Sequence, residues 1–401
     1  MTENTATALL RPGHAERVLS GHPWVYESSI KRFTRDPEDG EVVQVRDSRK
    51  RFLGIGFYNS RCRVRIRMAA AQRIPIDQRY FEERITRARE FRDRHLPQVE
   101  CCRVVNAEAD FLGGLIVDRY KDTLAIQINS LAFDQRSELI LQALKSVFPD
   151  HRIVQSHDSG HRKFEGLPEL QQAPKSFEVE KDRTILINQL KFEVQFGSGH
   201  KTGAYLDQQF NYQEVGELTR CMAAKRILDC FTYQGGFALH AAQFGATEVV
   251  ALDQSAEAIA QASRNAELNQ CSDRVQFQQA NVFDWLKSAT QGADGPAKFD
   301  HVILDPPSFT RSRSNLSSAA RGYKEIHLRA LRLLKAGGLL STFSCSHHAD
   351  RDFFLAVIRE AAADARRQLR LVRLHHQPID HPVLASVPET EYLKGFTFEA
   401  G

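Results

Sequence analysis

No stretch of this 401-residue chain approaches the roughly 18 consecutive apolar residues of a membrane-crossing helix. Its first residues, Met1-Thr2-Glu3-Asn4-Thr5-Ala6, lack the cationic segment and apolar run of a secretory signal. Cysteine is scarce: the seven present are scattered, and apart from the vicinal pair Cys101-Cys102 no Cys-x-x-Cys or Cys/His zinc spacing appears. A disulfide framework and a structural metal are therefore not expected, and a reducing cytoplasm is. Two histidine pairs, His347-His348 and His375-His376, have no second cluster with which to build a ligand set. An excess of either charge is missing too, since the formal net charge is only +4.

The distribution of charge says more than its sum. From Arg46 to Arg73 nine basic residues face one acid, Asp47. Within that span Arg61, Arg63, Arg65 and Arg67 alternate with Cys62, Val64 and Ile66. A period of two places these arginines on one face of a strand, a cationic stripe suited to a phosphate backbone.

The length calls for two or three domains. Residues 1–74 carry short β-like runs punctuated by glycine, such as Glu41–Val45 and Phe52–Tyr58, and predict a small β-barrel. Residues 75–195 predict a charged linker helix from about Asp77 to His95. A small α+β unit should follow, with strands Cys102–Ala107 and Leu115–Asp118, the latter continuing to Asn129 as a hairpin, and a helix Gln135–Phe148. The segment Gln155–Lys175 reads as loop. Residues 196–401 alternate strands and helices from about Arg226 onward, the signature of a doubly wound parallel α/β sheet.

In such sheets ligands collect at the carboxyl ends of the strands. The apolar strand Ile227-Leu228-Asp229-Cys230 breaks into Phe231-Thr232-Tyr233-Gln234-Gly235-Gly236, where glycine admits close backbone approach and a helix begins with free amides. This is not the Gly-x-Gly-x-x-Gly of a pyrophosphate cradle. The next strand ends in Asp253, placed to accept both hydroxyls of a ribose. After the third strand, Asn281 and Asp284 lie where an adenine would be read; Asp284 is equally a helix N-terminal acid. An adenosyl ligand without pyrophosphate, S-adenosylmethionine, suits this series.

Two further strand ends carry chemistry. Phe299–Leu304 leads into Asp305-Pro306-Pro307-Ser308-Phe309, and Leu339–Phe343 leads into Ser344-Cys345-Ser346. Methylating C5 of a pyrimidine requires a thiolate that adds to C6 and pushes electron density onto C5. Cys345 is placed for that role, and Asp305 for a hydrogen bond to ring N3. The two prolines make a rigid wall for an extruded base. Cys230, at the first strand's turn, is expected to serve packing. Arg321 and Lys324, with Tyr323 between them, suit RNA backbone and base stacking. Without a cysteine adduct the same turn serves base N-methylation, and a vestigial donor site leaves a non-catalytic RNA-binding factor; the residues alone keep all three open.

Nearly end to end the chain resembles the bacterial 23S rRNA (cytosine-C5)-methyltransferases that carry an N-terminal PUA domain. The matching stretches are Gly21–Tyr26 (GHPWVY), Glu108–Tyr120 (EADFLGGLIVDRY), Lys201–Gln208 (KTGAYLDQ), Thr342–Ser346 (TFSCS), Asp380–Val383 (DHPV) and Tyr392–Phe396 (YLKGF). The resemblance implies a PUA-like RNA-binding domain over 1–74, a linker and central domain over 75–195, and a class I methyltransferase domain over 196–401. It implies Cys345 as nucleophile, beside the donor-site candidates Asp229, Phe231, Gly235, Gly236, Asp253, Asn281 and Asp305 read from the strand ends. It also implies a loop bearing Tyr205, Asp207 and Gln208 that closes over the donor. Asn281 stands where relatives often have aspartate. The implied partner is 23S rRNA, the implied location is the cytoplasm with no membrane, and a homodimer is compatible with the pattern.

Overall fold

The computed structural model describes residues 5–156, 159–167, 183–194, 196, 203–291, 298–310 and 315–401. The chain divides into two compact units. One comprises Met1–Ile185, Val194–Leu206 and Ile379–Thr390; the other comprises Leu186–Glu193, Asp207–Pro378 and Glu391–Gly401.

The first unit opens with six strands: β1 (Thr7–Leu10), β2 (Trp24–Tyr26), β3 (Ile30–Phe33), β4 (Val42–Arg46), β5 (Phe52–Tyr58) and β6 (Val64–Ala70), with the short helix α1 (Glu16–Leu19) after β1. They form one sheet in the order β2-β6-β5-β4-β1-β3, parallel only between β1 and β4. Alternation builds it: Val43 and Val45 turn inward to meet Ala8, Leu10 and Ile66. The expected small barrel is thus present as a half-barrel.

Helix α2 (Gln78–His95) is capped by Asp77, whose carboxylate accepts from the Tyr80 amide at 3.1 Å. It is more than a linker. Tyr80, Phe81, Ile85 and Ala88 bury one stripe in the core of the unit. Arg92, only 1% exposed, forms a two-pronged ion pair with Asp110 at 2.5 and 2.8 Å. It also donates to the carbonyls of Arg103 and Asp380 at 2.8 Å. The carboxylate of Asp380 accepts from the Arg103 amide at 2.9 Å, which docks the Asp380–Val383 motif in this unit.

Strands β7 (Cys101–Asn106), β8 (Leu115–Tyr120), β9 (Thr123–Ile128) and β10 (Arg152–Gln155) form a second sheet ordered β10-β9-β8-β7. The β8–β9 hairpin is antiparallel and β10 runs parallel to β9. That crossover is made by α3 (Leu131–Asp134) and α4 (Ser137–Val147). The segment expected as loop over Gln155–Lys175 contains a helix, α5 (Ser159–Phe164); its part beyond residue 167 lies outside the described residues. A two-stranded sheet of β11 (Arg183–Ile187) and β12 (Leu190–Val194) follows.

In the second unit α6 (Gln209–Cys221) precedes β13 (Arg226–Cys230), α7 (Gly236–Gln243), β14 (Glu248–Asp253), α8 (Ala256–Leu268), β15 (Val275–Gln279), α9 (Val282–Gln291) and β16 (Phe299–Leu304). Then come α10 (Leu316–Leu333), β17 (Leu334–Ser344), α11 (Arg351–Ala365), β18 (Leu369–His376) and β19 (Lys394–Ala400). The seven-stranded order is β15-β14-β13-β16-β17-β19-β18. All pairs are parallel except those made by β19. Strands buried on both faces read as apolar runs, and β13, β14 and β16 do so. From β13 the chain winds outward through β14 and β15, then returns to β16 on the other side of β13. The switch point, where an open sheet splays its loops apart, therefore lies between β13 and β16.

Candidate active site

The loop leaving β13 is shaped before any ligand arrives. Phe231 and Tyr233 have φ of 67° and 49°, and Gly235 has 88°. Two non-glycine residues in the left-handed region within one short loop mark a backbone held by its surroundings. The Tyr233 amide donates to Asp253 Oδ2 at 3.0 Å, and Asn265 Nδ2 donates to the Gln234 carbonyl at 3.0 Å. At Gly236, the first residue of α7, a Cβ would lie 2.4 Å from the Tyr212 ring. Glycine is what lets the chain pass there.

Asp229 lies beneath this loop, fully buried. Its Oδ2 accepts from Thr232 Oγ1 at 2.6 Å and from the Ala238 amide at 3.0 Å. Its Oδ1 is buried with no hydrogen-bond partner. Burial pushes this carboxyl up to about 7. Asp253, half-buried at the end of β14, also accepts from the Ser255 amide at 2.9 Å. A buried oxygen awaiting a donor, a glycine-lined helix start and a second acid at the next strand end fit an adenosyl ligand with cationic groups. Asn281 is exposed and accepts from the Phe283 amide at 3.0 Å, so it caps α9.

Asp305 follows β16 and Cys345 follows β17, adjacent parallel strands in which Leu304 pairs with Thr342. Asp305 Oδ2 accepts from Gln208 Nε2 at 3.1 Å, and Gln208 Oε1 accepts from Asn211 Nδ2 at 2.6 Å. Asp207, beside it, accepts from the Tyr392 hydroxyl at 2.9 Å. Two residues of the loop expected to close over the donor are thus gathered at this end of the sheet. Tyr205 falls in the first unit, and Lys201 and Thr202 lie outside the described residues.

Cys345 is half-buried between two fully enclosed serines. The Tyr323 hydroxyl lies 3.0 Å from Ser344 Oγ and 3.1 Å from Ser346 Oγ. Ser308, from the Asp-Pro-Pro turn, meets Ser346 Oγ at 2.8 Å. Lys394 Nζ donates to the carbonyls of Ser346 and Ala349, both at 2.6 Å. Cys230 is fully buried, and burial raises its thiol well above the ordinary value. It is shut off from reaction, whereas Cys345 has access.

The expected cationic surfaces need correction. Strand β6 starts at Val64, so Arg61 and Arg63 lie in the preceding turn and only Arg65 and Arg67 are on the strand. Arg61 donates to the Gly166 carbonyl at 3.2 Å, Arg65 pairs with Glu27 at 2.8 Å, and Arg67 pairs with Glu165 at 2.5 Å. The stripe is largely committed to acceptors within its own unit; among the described residues Arg63 alone of the four has no side-chain partner. Lys324 pairs with Asp364 at 3.0 Å and Glu360 at 3.5 Å across to α11, while Arg321 is exposed. Tyr323, expected to stack on a base, is buried behind Cys345. The contacts of Tyr323 with the two serines and of Lys394 with the Ser346 and Ala349 carbonyls were not expected from the sequence. A lone lysine inside the run Tyr-Leu-Lys-Gly-Phe was the available signal for the latter.

Comparison with known proteins agrees with this architecture. Residues 9–70 match the model of a PUA-like domain, and residues 161–394 match that of an S-adenosylmethionine-dependent methyltransferase. The chain is 36% identical over 392 residues to ribosomal RNA large subunit methyltransferase I of Aeromonas salmonicida, covering 97% of this chain and 98% of that one. Against the protein of the same name in Vibrio parahaemolyticus the identity is 35% over 397 residues, with 98% of each covered. A structure from Streptococcus mutans described as a SAM-dependent methyltransferase superposes with a TM-score of 0.82 at 20% identity, covering 98% of this chain and 99% of that one. A methyltransferase complexed with SAH gives 0.79 at 20% identity, with the same coverage.

Proposed function

Since the chain belongs to the ribosomal RNA large subunit methyltransferase I family, we propose that it forms 5-methylcytosine in 23S rRNA through a covalent bond between Cys345 and C6 of the target base. The carrying observation is the setting of Cys345: accessible at a strand end, between two serines pinned by Tyr323, beside the strand that ends in Asp305. The Cys345 thiolate adds to C6, and the displaced electron pair is drawn toward C5 and N3. Asp305, in its protonated form, donates to N3 and stabilises the charge that gathers there. When bound, S-adenosylmethionine supplies an electrophilic methyl group. Loss of the C5 proton to a base then lets the C6–S bond break and frees Cys345.

For the donor we assign Asp229 and its unpartnered oxygen to a cationic group. Asp253 takes the ribose, and Gly235 and Gly236 admit close approach, with Phe231, Asn281, Asp305, Asp207 and Gln208 completing the site. For the RNA, Arg63 and Arg321 are the cations best placed to meet phosphate, with Arg61, Arg65, Arg67 and Lys324 secondary because each already has an acceptor. The division into 1–74, 75–195 and 196–401 belongs to this reading, with RNA capture assigned to the first part.

The test is denaturing electrophoresis with rRNA in which 5-fluorocytosine replaces cytosine. A covalent band should appear only with S-adenosylmethionine and vanish in Cys345→Ala. Methyl incorporation into ordinary rRNA that survives Cys345→Ala would overturn the cysteine mechanism and leave nitrogen methylation.

A further inference from the structure

Two stretches singled out in the sequence play no part in the methyl-transfer chemistry: Gly21–Tyr26 and Glu108–Tyr120. They meet in the first unit at a cavity of about 350 Å³, within the size range of small-ligand sites. Trp24 and Phe111 both line it, and Trp24 Nε1 donates to Glu108 Oε1 at 2.9 Å. Phe111 is 60% exposed and has φ of 58°. A large apolar ring left in water by a left-handed backbone is doubly unfavourable, and residues held that way gather at functional sites.

Three arginines line the same space: Arg67, Arg84 and Arg87. Arg67 gives Nη2 to Glu165, but its Nε and Nη1 are buried without a hydrogen-bond partner. Arg84 gives Nη2 to the Ala69 carbonyl at 2.7 Å and lies 3.8 Å over the Tyr80 ring, with Nε likewise buried and unpartnered. Arg87 is exposed. Glu108 is the one acid among the lining residues, so the wall is cationic. Buried donors without acceptors are costly in isolation, and both arginines that carry them belong to the lining that also includes the exposed Phe111.

We propose that this cavity takes one unpaired nucleotide of the RNA: its base stacks on Phe111 and Trp24, the cationic side chains of Arg67 and Arg84 line its place, and its phosphate meets Arg87. Stacking platforms combined with guanidinium donors are how proteins hold unstacked bases. Such a site would grip the RNA in this unit while Cys345 acts in the other. It rests on the reading of RNA as substrate.

The chain has two tryptophans, so Trp285→Phe leaves Trp24 as the reporter at the cavity wall. The full-length Trp285→Phe protein is titrated with CMP, UMP, AMP and GMP, and separately with inorganic phosphate, following Trp24 emission. At least one nucleotide should give a saturable change, weakened tenfold or more by Phe111→Ala and by Arg84→Gln, which phosphate alone does not reproduce. Phe111→Ala alters an exposed side chain, so it keeps the test meaningful should Arg84→Gln fold poorly; circular dichroism checks both. No saturable change with any nucleotide, equal affinity in wild type and Phe111→Ala, or an equal response to phosphate would each overturn the proposal. Scoring the 5-fluorocytosine adduct on the same samples separates the two readings. An adduct without nucleotide binding removes only the cavity assignment, and nucleotide binding without an adduct removes only the cysteine mechanism.

Discussion

The ammonium of Lys394 donates to the main-chain carbonyl of Ser346, at 2.6 Å, and thereby ties the last strand of the sheet to the residue next to Cys345. Its second acceptor is the Ala349 carbonyl, so one side chain braces both ends of the turn that follows the thiol. Burial holds this ammonium below its ordinary pKa, and the neighbouring Cys345 draws it back up. By the same coupling, Lys394 favours the thiolate.

Lys394→Met should therefore lower kcat by about tenfold or more while leaving S-adenosylmethionine affinity within about twofold, because hydrogen bonds from a charged group contribute roughly 1.5–3 kcal/mol. Iodoacetamide labelling of Cys345 as a function of pH is the readout that a purely structural role would not move. The labelling profile should shift to higher pH in the variant. An unchanged profile would remove Lys394 from thiol activation.

Tyr323→Phe removes the hydroxyl shared by Ser344 and Ser346. The serines stay buried and lose a partner, at a cost of about 1–3 kcal/mol. The variant should melt earlier and turn over more slowly, with donor affinity retained. A variant with wild-type turnover and melting would show that Ser308 alone suffices to hold the loop.

Donor binding should depend on pH through Asp229. Its carboxyl is raised by burial to about 7, so below that pH it is largely neutral without ligand. A cationic group on the donor requires the ionised form. S-adenosylmethionine should thus bind more tightly as pH rises from about 5.5 to 7.5, by up to roughly tenfold per pH unit at the acid end, then level off. Calorimetry of wild type and Asp229→Asn decides it: the asparagine variant should bind weakly with a flat profile. A flat profile in the wild type would place the donor's charge elsewhere.

The strand-end acids were legible because a buried parallel strand is an apolar run, and a polar residue closing it has one crevice to face. Asp253 and Asp305 follow that rule, whereas Asp229 lies one residue inside β13 and is fully buried. The arginine stripe misled because alternation says nothing of where a strand begins. The chain turns at Asn59 to Arg63 before β6 starts, and Glu27 and Glu165, remote in sequence, take up two of the cations. Tyr323 misled for a different reason, since its neighbours Arg321 and Lys324 suggested a surface. Its place on the buried stripe Ala319-Tyr323-Ile326-Ala330 of α10 was readable from helical spacing alone. The Glu108–Tyr120 stretch could be matched but not interpreted, because its meaning lies in a cavity shared with Trp24.

Acid should destabilise the second unit through its buried histidines. His327 is buried, with Nδ1 donating to the Tyr323 carbonyl at 2.6 Å and Nε2 lying 2.8 Å from Thr342 Oγ1. His301 bridges Thr219 at 3.0 Å and Ser341 at 2.8 Å, and His240 meets the Gly236 carbonyl at 2.7 Å. Burial lowers their pKa values to about 4, 3 and 4 respectively. In the unfolded chain a histidine protonates near 6.5. Between about 6.5 and 4 the unfolded state therefore binds protons that the folded state cannot, so the stability is full above 6.5 and falls as pH drops. Asp229 runs the other way, stabilising when protonated and losing that contribution as pH rises through about 7, but it is one group against three. With roughly 1.4 kcal/mol per pKa unit, the melting temperature without donor should decline steeply from pH 6.5 to 4.5. His327→Gln should lower it at pH 7.5 yet flatten the decline. Melts that stay level from pH 7 down to 4.5 would mean that these histidines accept protons in place.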